Sequence, residues 1–223
     1  MKKFELTNEF ITNMFGTKLF RIRALVEFGD VEAGELGGYV EKESNLGHDD
    51  NAWVYDNAWV YGNARVYGDA QVSGDARVYG NARVYGNAWV YGNALVCGNA
   101  LVYDNAWVYG NARVCGDALV CGNARVCSDA LVCGNARVCS DEDYAYAHGF
   151  GSVNRTTTFF RLKDGGVGVR CGCFYGTLAQ FRDKIRETHG ETKKAQEYLM
   201  LADLMELRFE EDENEVGNRK YVE

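Results

Sequence analysis

The chain has 223 residues, 47% of them apolar, with 26 glycines and no proline, and that glycine content without proline excludes collagen and fits turns built on Gly and Asn. Its length suits two domains or one elongated body with caps. Net charge is −8, but between 51 and 140 Arg65, Arg77, Arg83, Arg113, Arg125 and Arg137 balance Asp56, Asp69, Asp75, Asp104, Asp117 and Asp129. The acid therefore lies in the flanks, above all in Glu210–Glu215, and a neutral body with acidic ends excludes a generic DNA binder, which needs a basic stripe.

At the N-terminus, Met-Lys-Lys-Phe-Glu-Leu-Thr lacks the apolar stretch of a signal peptide. No apolar run approaches the ~18 residues of a membrane span. A soluble cytoplasmic protein is expected. Leu19–Phe28 reads as a strand, Gly29-Asp30 as a turn, and Gly34–Val40 as a turn followed by another short strand. Residues 1–50 are expected to form a β-rich cap over the first coil of a repeat that begins at Asn51.

From Asn51 to Ser140 the chain repeats. Val recurs every sixth residue from 54 to 138 and Ala stands two residues before each, giving fifteen copies of Asn/Asp-Ala-x-Val-Tyr/Cys-Gly. Side chains alternate faces along a strand, and six is even, so Ala and Val always point the same way. The Gly-Asn or Gly-Asp pair supplies a corner with φ > 0. Each hexapeptide is thus a short strand and a corner, and its narrow Ala/Val face is buried only when coils stack. This pattern resembles the left-handed parallel β-helix of the hexapeptide-repeat family, in which three hexapeptides make one triangular coil. The resemblance covers 51–140 and implies five coils, a left hand, and a prism about 24 Å long at roughly 4.8 Å per coil.

Stacking at eighteen residues sorts the outward side chains into three faces. One carries Trp53/Tyr55, Gln71/Ser73, Trp89/Tyr91, Trp107/Tyr109 and Arg125/Cys127; Trp59/Tyr61 opens the second and Arg65/Tyr67 the third. All three are too apolar for a free surface. Trp53, Tyr55, Trp59, Trp89, Tyr91, Trp107 and Tyr109 are the expected interface residues. Their expected occupant is another copy of the chain, in a homo-oligomer with a trimer favoured; a foreign partner or the folded-back caps are the alternatives. Six of the eight Cys take the repeat position that Tyr fills in earlier copies, so they are read as reduced packing residues.

Beyond the repeat, 141–209 reads as a small α+β domain. Thr156–Lys163 and Val167–Phe174 form a hairpin turning at Asp164-Gly-Gly166. Thr177 and Gln180 make a capping box for a helix that reaches His189 and stops at Gly190. A second helix spans 192–208, and 210–223 is an acidic tail. Around the hairpin, Asn154, Arg155, Thr156, Thr157, Thr158, Phe159, Arg161 and Arg170 combine hydroxyls, an aromatic ring and guanidinium groups. That mixture suits a phosphorylated or nucleotide-like ligand.

The whole chain also resembles a family of polymer-forming proteins common in phages and prophages. The matching motifs are Gly-Glu-Leu-Gly-Gly-Tyr-Val-Glu (34–41), the Tyr-Gly-Asn-Ala-x-Val repeats, Asn-Arg-Thr-Thr-Thr-Phe-Phe (154–160), Gly-Cys-Phe-Tyr-Gly-Thr (172–177) and Glu-Thr-His-Gly (187–190). Hexapeptide-repeat acyltransferases use a positioned His as base. This repeat holds none, because His48, His148 and His189 all lie in the flanks. Cys171 and Cys173 are spaced too closely for the usual structural zinc pair. No enzyme, cofactor or metal is expected, and no membrane contact. The expected function is non-enzymatic binding, most concretely a phage counter-defence protein that sequesters a host factor or nucleotide signal; a purely structural oligomer and an acyltransferase-like enzyme are the alternatives.

Overall fold

A computed structural model describes residues 2–150 and 155–210. The N-terminal segment forms an antiparallel meander of β1 (Phe4–Thr12), β2 (Lys18–Ala24) and β3 (Leu36–Val40). Strands β4 to β18 come next, each the two-residue x-Val pair of one hexapeptide. Every third strand stacks in parallel, in register at eighteen residues. One sheet holds β4 (Trp53–Val54), β7 (Gln71–Val72), β10 (Trp89–Val90), β13 (Trp107–Val108) and β16 (Arg125–Val126). A second runs from β3 through β5 (Trp59–Val60), β8 (Arg77–Val78), β11 (Leu95–Val96) and β14 (Arg113–Val114) to β17 (Leu131–Val132). The third holds β6 (Arg65–Val66), β9 (Arg83–Val84), β12 (Leu101–Val102), β15 (Leu119–Val120) and β18 (Arg137–Val138).

The fold is mainly β, a parallel β-solenoid, and each Ala and Val of the repeat from Ala52 to Val138 is fully buried inside it. Corners take the left-handed conformation the repeat calls for, and where the glycine is replaced, Asp56 and Asp104 adopt φ of +52° and +58°. Their carboxylates accept the amide hydrogens of Gly74 and Gly122 one coil on, at 3.0 and 3.2 Å. Outward Asn side chains form ladders along the corners, as in Asn63 to Asn81 to Asn99 to Asp117.

The solenoid has about six turns, one more than the hexapeptides supply. The extra turn comes from the N-terminal cap: β3 pairs in parallel with β5, and Leu46 bridges to Val66. Residues Gly37 and Gly38 permit that approach. A Cβ on Gly37 would stand 2.5 Å from the Val54 carbonyl oxygen and 2.8 Å from the Trp53 ring.

Stacking gives the solenoid a polarity that dictates its two caps. Each strand donates its N–H groups forward, as Arg77 N does to Ala94 O at 2.9 Å. The first coil is therefore left with carbonyls and the last with N–H groups, and buried groups of either kind must be paired. At the first coil the cap supplies donors. The ammonium of Lys3, only 3% exposed, donates to the carbonyls of Asp50 and Ala52. The amide of Asn45 donates to those of Gly62 and Ala64. At the last coil acceptors appear instead: Asp141 Oδ1 for Arg125 N at 2.7 Å, Thr158 Oγ1 for Leu131 N at 2.9 Å, and Asp143 Oδ2 for Cys139 N at 2.9 Å.

The C-terminal region is an antiparallel sheet, β19 (Tyr144–Phe150), β20 (Arg155–Arg161), β21 (Val167–Cys171) and β22 (Phe174–Thr177), followed by α1 (Leu178–His189) and α2 (Lys193–Phe209). The expected hairpin is β20–β21, turning at Gly165 with φ +87°. Both helices start at Thr caps, Thr177 with Gln180 as read from sequence and Thr192, which accepts from Ala195 N. Sequence reading missed β1, β19 and β22. Strand β20 lies between two cores: Phe160 closes the solenoid interior, while Phe159 packs with Phe181, Ile185, Tyr198 and Ala202 of the helices.

Candidate binding face

The repeat position that holds Tyr or Cys makes columns along each sheet, because eighteen-residue stacking places the same repeat position one coil apart. On the third sheet Tyr67, Tyr85 and Tyr103 stack with ring centroids 5.0 Å apart. On the second, Tyr61 and Tyr79 stack at 5.1 Å, and the column continues as Cys97, Cys115 and Cys133. Hydrogen bonding to the Cys115 thiol, then burial, pushes the Cys97 thiol up. A hydrogen bond involving Cys97, then burial, pushes Tyr79 up to about 12. The all-reduced reading of these thiols needs one correction: Cys121 and Cys139, stacked one coil apart with Cα atoms 4.3 Å from each other, are joined by a disulfide.

The first sheet carries the broadest aromatic surface. Trp89 and Trp107 stack at 5.3 Å, Tyr91 and Tyr109 at 5.0 Å, and the Tyr91 ring meets Trp107 edge-on. The guanidinium of Arg125 lies 5.0 Å from the Trp107 ring, extending the column by a cation–π contact. Two depressions bound this patch. Toward the N-terminal cap, a cavity of about 150 Å³ is lined by Gln71, Ser73, Trp89 and Tyr91. Toward the C-terminal cap, a wider one of about 470 Å³ is lined by Tyr109, Arg125, Cys127, Asp141, Tyr144, Ala145, Tyr146 and Arg208.

Of the seven expected interface residues, the structure brings four together here: Trp89, Tyr91, Trp107 and Tyr109. The others are placed differently. Trp53 is fully buried, its indole edge-on to Phe4 and Phe28 of the cap. Tyr55 is half-buried on the same sheet, and burial raises its phenol. Trp59 lies on the second sheet beneath the Arg77 guanidinium at 4.3 Å. What sequence reading missed is the wider cavity, because Tyr144, Tyr146 and Arg208 reach it only through the docking of the C-terminal region.

The eight expected ligand residues around the hairpin do not converge on one opening. Asn154 lies outside the described residues. Thr157, Thr158 and Phe159 are fully buried; Thr157 hydrogen-bonds the Cys171 sulfur and Thr158 caps Leu131. Thr156 contacts His148 Nδ1 at 2.9 Å, and Arg155 is exposed beside Gly172. Arg161 pairs with Asp143 at 3.8 Å and faces the Phe209 ring, while Arg170 reaches the Cys173 carbonyl. The remaining His are also engaged: His48 with Lys3 N, Glu43 and the Phe4 ring, and His189 against Tyr198. Among the described residues no group of three His, Cys, Asp or Glu is arranged to hold a metal ion, and no helix is long and apolar enough to cross a membrane.

Comparison with known families agrees with the geometry of the prism. Residues 58–74, 70–82, 76–92, 94–110 and 106–122 match the family described as the YdcK beta solenoid repeat. A search of the curated proteins found no match. By its repeats and its stacked coils, the chain is a β-solenoid repeat protein, similar over the middle of the prism to the YdcK repeat.

Proposed function

We propose that the protein is a non-enzymatic binding protein whose working surface is the aromatic face of the first sheet. The observation that carries this reading is the stacked Trp89–Trp107 and Tyr91–Tyr109 pair of columns, lying uncovered between the two capped ends of the solenoid. Trp and Tyr in rigid, preordered columns lose little freedom when a partner lands on them, which favours association. Such a surface also suits contact between copies of the chain, and a homo-oligomer, with three copies favoured, is part of the proposal. The resemblance to phage and prophage proteins narrows it further, to a counter-defence protein acting in the host cytoplasm that sequesters a host factor or nucleotide signal.

Native mass spectrometry of the protein purified from phage-infected cells tests this reading. A defined oligomer, or a bound mass, that is lost in the Trp89→Ser/Trp107→Ser variant is the expected result. A bare monomer at high concentration, unchanged by the substitutions, overturns it.

A further inference from the structure

The aromatic columns of the first sheet have one missing rung. Trp89 stacks on Trp107 and Tyr91 on Tyr109, but one coil toward the N-terminus the paired positions hold Gln71 and Ser73. The outer ring faces of Trp89 and Tyr91 are consequently left without a stacked ring, and Trp89 is 41% exposed. In place of the missing rung is the cavity of about 150 Å³ lined by these four side chains. Its height is set by the coil repeat, roughly 4.8 Å, so one planar ring restores the Trp column, with the Tyr91 ring standing edge-on to that plane beside it. Two further features say what kind of ring. The Gln71 amide and the Ser73 hydroxyl both line the gap, and neither has a protein partner among the described residues. No charged side chain lines it.

We propose that this gap is a stacking slot for one uncharged purine base, held on the face of Trp89, bordered edge-on by Tyr91 and read at its edge by Gln71. A carboxamide offers a donor and an acceptor side by side, the pattern that pairs with the amino group and ring nitrogen of adenine. Stacking on aromatic side chains accepts any base, so the edge contact is what selects adenine. The inference rests on the reading of this face as a binding surface and names the ligand class for one end of it.

The test is a titration with adenosine, followed by quenching of tryptophan fluorescence and by calorimetry. Saturable binding to the wild-type protein is expected, weakened ~10-fold or more in Trp89→Ala. Ser73→Tyr supplies the missing rung with the residue that stands at this repeat position in neighbouring coils, so the solenoid stays intact while the slot is filled. Circular dichroism of Ser73→Tyr is expected to match wild type and adenosine binding to vanish. In Gln71→Leu the preference for adenosine over uridine is expected to fall while stacking remains. Absence of saturable binding to wild type, undiminished binding to Ser73→Tyr, or an unchanged preference in Gln71→Leu would each overturn the proposal. The oligomer and bound-mass experiment on Trp89→Ser/Trp107→Ser reads the whole face and is independent of adenosine, so failure of the slot is distinguishable from failure of the face.

Discussion

Single residues at the two ends of the solenoid carry a disproportionate share of its integrity, because they satisfy groups that stacking leaves open. Thr158 Oγ1 accepts from Leu131 N in a buried setting. Thr158→Val is isosteric but removes that acceptor, and an orphaned buried donor costs about 1–3 kcal/mol; urea unfolding should show that loss, with Thr158→Ser close to wild type. Gly37→Ala adds a methyl 2.5 Å from a backbone oxygen and 2.7 Å from Ile22. Neither neighbour has room to retreat, so a destabilisation of about 3 kcal/mol is expected, at the upper end for overpacking. Lys3 adds a pH dependence. Burial lowers its pKa to about 8, against the opposing pull of Asp50, Asp49 and Asp69. In the unfolded chain the amine holds its proton to about 10.5, so between these values the unfolded state binds more protons and stability rises with pH. Unfolding at pH 7 and pH 10 should show wild type gaining relative to Lys3→Met, which lacks the titrating group.

Elements in this protein are rows as much as strands. A two-residue strand has almost no intrinsic stability, and the fifteen of the prism persist because each is paired within a stacked sheet and shares a column of like side chains. The outward column of the second sheet titrates in alkali. Hydrogen bonding to the Cys97 thiol and then burial raise Tyr79 to about 12, and Cys97 and Cys115 are also pushed up, while the hydrogen bond with Cys115 lowers Cys133 at the end of the column. Acids with raised folded pKa values ionise first in the unfolded chain. Their contribution is complete below about pH 9 and is lost as pH climbs toward 12. Between pH 9 and 11, thermal melts of wild type are expected to fall relative to those of a Tyr79→Phe/Cys97→Ala variant.

For the whole molecule, the direction of the hydrogen-bond ladder decides what each end requires. Donors are needed over the first coil and acceptors over the last, and the caps are chemically different for that reason. Removing residues 141–223 would expose the N–H groups of Arg125, Leu131 and Cys139 together with the Phe160-sealed interior. An open edge of that kind templates further strand pairing. The truncated chain is expected to form high-mass assemblies in size-exclusion chromatography, whereas the full chain elutes as a discrete species.

The period of six, the inward Ala/Val pair and the Gly corners were sufficient to read the solenoid, since each follows from local side-chain alternation and turn chemistry. The β20–β21 hairpin and both helices were legible for the same reason, through Asp164-Gly-Gly166, the Thr177 capping box and the helical spacing of Ala195, Leu199, Ala202 and Met205. Strands β1, β19 and β22 were not, because they gain their form from pairing with partners distant in space and lack a strong alternation of their own. The roles of the Thr/Arg/Phe segment were likewise beyond sequence reading. Alternation correctly puts Phe159 and Phe160 on opposite sides of β20, but only docking onto the last coil turns both sides into interiors and makes Thr158 a cap. Composition named the aromatic residues of the first sheet; tertiary structure decided which of them stay open. The N-terminal cap buries Trp53 beneath Phe4 and Phe28, the C-terminal region ends in a rim of Tyr144, Tyr146 and Arg208, and Trp89 with Tyr91 is left facing the gap at Ser73. Repetition is a local property that each hexapeptide carries for itself, whereas exposure depends on what the rest of the chain lays over it.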